Sequence, residues 1–82
     1  MTAEQLRAAR SLLRWQQTDL ATASSVSVPT IKRFEAMDGE LTGHSSTIRL
    51  LQSSLEAAGV QFIPENGGGA GVRLAKPMKA PE

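Results

Sequence analysis

Cysteine is absent from this chain of 82 residues. Disulfides and thiolate metal sites are therefore excluded, and the composition fits a reducing compartment. No segment approaches the run of about 20 apolar residues that a membrane-spanning helix needs. The first residues also lack the apolar stretch of a signal peptide, so the sequence predicts a cytoplasmic protein.

An excess of charge of one sign is missing as well. The net charge is +1, and six basic and six acidic side chains balance over residues 1–59. Bulk charge therefore does not indicate a partner, and any affinity for nucleic acid has to come from a local cluster of basic side chains. The hydrophobic fraction of 40% is enough for a folded chain, and the length suits one domain with a thin core.

Residue patterns for catalysis are sparse. His44 is the only histidine and has no cysteine beside it, whereas zinc needs three or four ligands. The glycine-rich segment 67–71 lacks the Gly-Lys-Ser/Thr ending of a phosphate-binding loop. Asp38 and Glu40 fall in a predicted loop with no pocket implied. The sequence therefore predicts a protein that is not an enzyme and uses no cofactor or metal.

Apolar spacing predicts four helices. Thr2 and Gln5 have the spacing of a capping box for a helix that runs to about Arg14. A second helix is predicted over about 17–24. A third runs from a cap at Ser27 to about Met37, and a fourth from a cap at Ser45 or Ser46 to a stop at Gly59. The inner stripe of this fourth helix is predicted to contain Ile48, Leu51 and Leu55, with Leu50 and Ala58 beside it.

Two strands are predicted after the helices, over residues 60–63 and 72–75. The asparagine and glycines between them favour a hairpin loop. We therefore predict a mainly α protein: a compact bundle of four to five helices with a short C-terminal β-hairpin or strand pair. The predicted divisions are a helical domain over 1–59, a β extension over 60–76 and a flexible tail over 77–82.

The stretch from residue 17 to residue 39 contains two short predicted helices separated by three or four residues. Val26 is placed to anchor the turn, and Ile31 and Phe34 to hold the second of these helices against the core. This spacing is typical of a tight helix-turn-helix. A helix fits the major groove of DNA, and its N-terminal side chains meet base edges there. The side chains predicted to project outward are Val28, Pro29, Lys32 and Arg33.

A family resemblance follows from these residues. The run Gln17-x-x-Leu20-Ala21, Val26-Ser27-x-x-Thr30-Ile31-x-x-Phe34-Glu35 and Gly39 closely resembles the Xre family of phage-repressor-like regulators. The segment Leu55-Glu56-Ala57-Ala58-Gly59-Val60-x-Phe62 resembles the end of many small bacterial members. The resemblance covers about residues 3–65. It implies a four- or five-helix fold that binds double-stranded DNA, usually as a homodimer on a palindrome, and controls transcription, often from a mobile element.

The resemblance also implies residue roles. The residues implied to read bases are Val28, Pro29, Lys32 and Arg33, of which Arg33 suits a bidentate contact with guanine. The residues implied to contact the DNA backbone are Gln17, Ser27 and Thr30, and Gln17 could instead brace the recognition helix. Arg10 and Glu35 occupy the positions of a structural ion pair.

Two features depart from the family pattern. Ser25 stands where the family usually has glycine, so a left-handed backbone there should cost about 1 kcal/mol. The groove-facing side is also less basic than usual, which predicts binding that is weak or strongly dependent on salt.

A second hypothesis is a protein-interaction module on the same fold, an antitoxin or an antiactivator that sequesters a partner. The predicted strands motivate it, because an isolated hairpin is marginally stable and an open edge can pair with another chain. The apolar strand residues available for a dimer or partner are Val60, Phe62, Ile63, Val72 and Leu74. The sequence leaves the dimer interface open between the fourth helix, the strands, or both.

Overall fold

Four helices and one antiparallel strand pair make up the computed structural model, which describes residues 1–75. In chain order they are α1 (Ala3–Leu13), α2 (Gln17–Ser24), α3 (Val28–Glu35), α4 (Ser45–Ala57), β1 (Val60–Ile63) and β2 (Gly71–Leu74). The predicted mainly α bundle with a strand pair is confirmed. The predicted tail 77–82, and the last residue of the predicted extension 60–76, lie outside the described residues. No described helix is long and apolar enough to cross a membrane.

The helix ends follow from local chemistry. Thr2 Oγ1 accepts the N–H of Gln5 at 3.0 Å, and Gln5 Oε1 accepts the N–H of Thr2 at 2.9 Å, which is the predicted capping box. α1 ends one residue before the predicted Arg14, because Arg14 adopts a left-handed φ of 57°. The prediction that Ser45 or Ser46 caps α4 is wrong, since His44 is the N-cap residue and makes no side-chain cap bond.

α3 is shorter than predicted. It ends at Glu35 rather than near Met37. The N–H of Met37 donates to the carbonyl of Phe34 at 3.1 Å, so the chain tightens into a three-residue turn and leaves the helical path. The helix therefore presents about two turns, with its basic residues Lys32 and Arg33 in the second.

The core lies where α1, α2, α3 and α4 converge. The fully buried large side chains are Phe34, Leu6, Leu20, Ile31, Leu51 and Leu55. One core prediction is wrong: Leu50, expected beside the inner stripe of α4, is 50% exposed. At 100° per residue, Leu50 lies about 100° from Leu51 and further still from Ile48, outside the arc that faces the core.

The hairpin belongs to the same core as the helices. β1 and β2 pair antiparallel from Val60 opposite Leu74 to Ile63 opposite Gly71, so β2 begins one residue earlier than predicted. Val60 is 2% exposed, and Phe62 and Val72 pack against the core. The inner face of the hairpin is therefore covered by this chain itself. Pairing of its edges with another chain stays a prediction.

Gln5 fastens the hairpin to α1. Its side-chain amide donates to the carbonyl of Gly71 at 2.9 Å and to that of Ile63 at 3.2 Å. The residue is 6% exposed, so these bonds are shielded from water. Gln5 thus both caps α1 and attaches the strands, a link across 58 residues of sequence in the bond to Ile63.

Candidate nucleic-acid interface

A three-residue turn, Ser25 to Ser27, joins α2 to α3. Ser25 adopts the predicted left-handed conformation, with φ of 61°, and its N–H donates to the carbonyl of Ala21 at 2.9 Å. Val26 is 6% exposed and inserts into the core. The Ser24 hydroxyl, itself buried, accepts the N–H of Val26 at 3.2 Å. These contacts hold α3 in one orientation relative to α2.

The first turn of α3 carries two hydroxyl groups. Ser27 is the N-cap, and its Oγ accepts the N–H of Thr30 at 3.4 Å. The Ser27 hydroxyl also donates to Thr30 Oγ1 at 3.0 Å. Because Thr30 Oγ1 is the acceptor in this bond, its own hydroxyl proton is still available to donate to another group. This suits the predicted contact of Thr30 with a DNA phosphate. The Ser27 hydroxyl already donates to Thr30, and the predicted contact of Ser27 with the DNA backbone stays a prediction.

The outer face of α3 contains the four residues predicted to read bases. Pro29, Lys32 and Arg33 are exposed and Val28 is half-buried, whereas the core side of the helix buries Ile31, Phe34 and Glu35. At 100° per residue, Pro29 and Arg33 lie about 40° apart and opposite the buried arc. By the same rule Pro29, Lys32 and Arg33 share the outer side, and Val28 lies at its border, next to the buried arc. We call Val28, Pro29, Lys32 and Arg33 the α3 outer face.

Within residues 1–75, Arg33 makes one cation–π contact. Its guanidinium carbon lies 5.4 Å from the centroid of the Phe34 ring. An exposed contact of this kind contributes about 0.5–1 kcal/mol, whereas a bidentate contact with guanine discriminates by about 1–3 kcal/mol. The attraction to Phe34 is therefore too weak to keep Arg33 from a base.

A buried carboxylate ties the opposite side of α3 to α1 and α2. Glu35 is 7% exposed and pairs with Arg10, Nε to Oε2 at 2.7 Å and Nη2 to Oε1 at 3.0 Å. The predicted ion pair is present, in bidentate geometry. Arg10 also donates to the carbonyl of Trp15 at 2.8 Å, and Gln17 Nε2 donates to Glu35 Oε1 at 3.0 Å. We call Arg10, Gln17 and Glu35 the Glu35 cluster.

Charge and burial oppose each other at this cluster. Burial alone would raise the pKa of the Glu35 carboxyl. Hydrogen bonds from Arg10 and Gln17, together with the charges of Arg10 and Arg7, outweigh burial and hold that pKa below its ordinary value. The pKa of Arg10 is raised, chiefly by its hydrogen bond to Glu35. Both groups are therefore charged at neutral pH.

The contacts of Gln17 and Asp19 within the protein affect whether the start of α2 can contact the DNA backbone. Of the two roles that the sequence left open for Gln17, the structure shows the brace. Asp19 Oδ2 accepts the N–H of Gln16 at 2.8 Å at the start of α2. This negative charge stands where a phosphate would otherwise be attracted to the helix N-terminus. A contact of Gln17 with a DNA phosphate stays a prediction. Repulsion between the negative charges of Asp19 and the phosphate would weaken such a contact.

Two residues of this region were missed by sequence reasoning. Arg7 donates from its guanidinium to the backbone carbonyl of Glu35, which adds a second link from α1 to the end of α3. Asp19 caps the start of α2, where the sequence indicates no more than a surface charge. The sequence does contain a signal for the cap by Asp19, since an acidic residue in the first turn of a helix commonly stabilises that end. No local sequence pattern indicates the contact of Arg7.

Over residues 1–75 there is no group of three or more histidine, cysteine, aspartate or glutamate side chains that could hold a metal ion. No protein-family model matches the chain, and no curated protein matches it as a relative.

Proposed function

We propose that this protein is a sequence-specific DNA-binding regulator of transcription that inserts the α3 outer face into the major groove. The observation that carries the proposal is the contrast between the two sides of α3. Its inner side is fixed by the Glu35 cluster and by buried Ile31 and Phe34. On its outer side, neither Lys32 nor Arg33 takes part in an ion pair within residues 1–75.

This arrangement is favourable for reading base edges. A helix held by its neighbours loses little further freedom on binding, so more of the contact energy appears as affinity. Arg33 provides the paired donors that match guanine O6 and N7. Val28 and Pro29 provide apolar surface for thymine methyl groups, and Lys32 provides a second positive charge.

The proposed action is repression by a dimer on a palindromic operator. Two copies of α3 would enter successive major grooves, about 34–36 Å apart. Affinity for the DNA backbone should be weak at physiological salt, because few positive charges neutralise few phosphates and Asp19 opposes them, and the slope of log affinity against log salt should be correspondingly small. A protein that controls the DNA next to its own gene would fit this class of regulator.

Selection from a random duplex library tests the proposal and needs no operator sequence to begin with. Wild-type protein should enrich a palindromic motif, and Arg33→Ala should lose preference at one position in each half-site, a loss of about 1–3 kcal/mol in discrimination. Arg73→Ala is the matched control, because Arg73 is an exposed arginine on the hairpin. It should enrich the wild-type motif.

The opposite result would move the assignment to the second hypothesis. If no motif is enriched, and binding is equal for all duplexes and disappears at moderate salt, the DNA-reading proposal fails. The protein-interaction module would then be the better description of this fold.

A further inference from the structure

We propose that the exposed face of α4 is the surface on which two copies of this chain associate, with their α4 helices antiparallel. Leu50 is 50% exposed, and it is the one large hydrophobic side chain of the described residues that is this open to solvent. The face is defined by Ser46, Leu50, Ser53 and Ala57, all exposed. This inference deepens the proposed function, because it names the surface through which the proposed dimer would form, and its tests use the protein without DNA.

The spacing along this face matches a helix–helix seam. Its four residues follow one another at intervals of four, three and four, which is the repeat of a coiled-coil contact. Leu51 and Leu55, on the other side of α4, are fully buried in the core. α4 therefore carries two separate contact faces, of which the chain itself covers only one.

The shape of the surface indicates a second copy as the occupant. Leu50 borders a shallow groove whose walls include Trp15, Ala23, Ser54, Ala57 and Ala58. The projecting Leu50 side chain and the uncharged groove thus lie next to each other on one face. A two-fold interface requires a patch that is complementary to itself, and a projection beside a depression provides this. In an antiparallel pair, Leu50 of one protomer packs over the small residues of its partner.

The charges beside this face select the orientation. Arg49 and Glu56 are both exposed and lie seven residues apart along one border of the face. Antiparallel pairing about a two-fold axis near Ser53 brings Arg49 close to the partner's Glu56, and it does so twice. In a parallel pair, the Arg49 residues of the two copies would lie at the same height along the helices, and so would the two Glu56 residues. The attraction between Arg49 and Glu56 would then be lost. Charges flanking a helix seam commonly decide partner and orientation in this way.

The area indicates a weak dimer. Stable interfaces contain about 20–30 residues a side, and the face and groove of α4 offer fewer. We therefore expect association that is concentration-dependent in free solution. The inner face of the hairpin is not available as the interface, because Val60, Phe62 and Val72 pack against the chain's own core.

Sedimentation velocity of the full chain without DNA, from about 10 µM to 1 mM, tests the interface. Wild type should shift from monomer to dimer over this range. Leu50→Glu should raise the dissociation constant at least about 30-fold, as loss of a central contact does. Ala8→Glu is the matched control, since exposed Ala8 borders a separate apolar groove between α1 and β2. It should dimerise as wild type does, and circular dichroism should show that both variants fold.

Charge exchange tests the orientation. Arg49→Glu and Glu56→Arg should each weaken the dimer about two- to fivefold, and the double variant should recover it. A double variant weaker than either single one would overturn the antiparallel arrangement. Wild type that stays monomeric, Leu50→Glu that dimerises normally, or loss of the dimer in Ala8→Glu alone would overturn the α4 interface. None of these outcomes involves DNA, so each leaves the proposed function to be decided by the duplex selection.

Discussion

Replacement of Glu35 by alanine removes the group that joins α3 to α1 and α2. The carboxylate accepts two hydrogen bonds from Arg10, at 2.7 and 3.0 Å, and one from Gln17 at 3.0 Å. The variant leaves the Arg10 guanidinium without its counter-charge in a site where the side chain is 22% exposed. We expect both a loss of stability and a looser recognition helix.

The magnitude follows from burial. Loss of one partner of a buried ion pair costs about 3–5 kcal/mol. The lower end applies here, because Arg10 keeps its bond to the Trp15 carbonyl at 2.8 Å and reaches some water. A loss of about 3 kcal/mol corresponds to a fall of about 12–24 °C in Tm for a domain of this size. It is a large fraction of a total stability of about 4–12 kcal/mol.

Urea unfolding followed by circular dichroism and tryptophan fluorescence measures this loss, since Trp15 is the only tryptophan and lies at the cluster. Glu65→Ala, at an exposed glutamate in the hairpin loop, is the control and should change stability by less than about 0.5 kcal/mol. The double variant Arg10→Met, Glu35→Leu should recover part of the loss, because it leaves no uncompensated charge, while the Trp15 carbonyl loses its donor and Gln17 its acceptor. A loss below about 1 kcal/mol for Glu35→Ala would refute the reasoning.

Three further outcomes are expected. Ser25→Gly should raise the free energy of unfolding by about 0.5–1 kcal/mol, because φ of 61° strains serine and not glycine; a lower urea midpoint would contradict this. Gln5→Leu should speed amide exchange in the hairpin and cost about 1–3 kcal/mol, since two carbonyls lose their donor; unchanged exchange by NMR would refute that role. The lowered pKa of Glu35 contributes stability above its unfolded value near 4.5, and this is lost as pH falls through the folded value. Wild type should therefore lose more stability in acid than Glu35→Ala. If the free energies of unfolding of the two proteins followed the same dependence on pH, this contribution of Glu35 would be excluded.

Local patterns predicted much of the fold. The bounds of α2 and β1 and the capping box of α1 all depend on residues within a few positions of one another, whereas the left-handed Ser25 was expected from the family resemblance. Short-range chemistry determines such features, so a single sequence contains the information. Arg10 and Glu35 are 25 positions apart, so no local pattern indicates that they pair. The prediction of this ion pair came instead from the family resemblance.

Features that depend on distant neighbours could not be predicted in this way. Helical spacing places Leu50 about 100° from Leu51, at the border of the stripe, and the width of the buried arc depends on how the other helices pack against α4. The attachment of the hairpin by Gln5 joins residues that are 58 and 66 positions apart, and no local signal marks it. The brace formed by Gln17 was one of two open roles, and only the position of Glu35 distinguishes them.

The central claim is that DNA binds on the α3 outer face. Its most direct test is an NMR titration of ¹⁵N-labelled protein with the selected duplex at physiological salt. Binding on this face predicts saturable shifts concentrated at the amides of Ser27, Thr30, Lys32 and Arg33, with Gln61 and Arg73 of the hairpin unmoved. Shifts centred on the hairpin, or no saturable shift on α3, would contradict it.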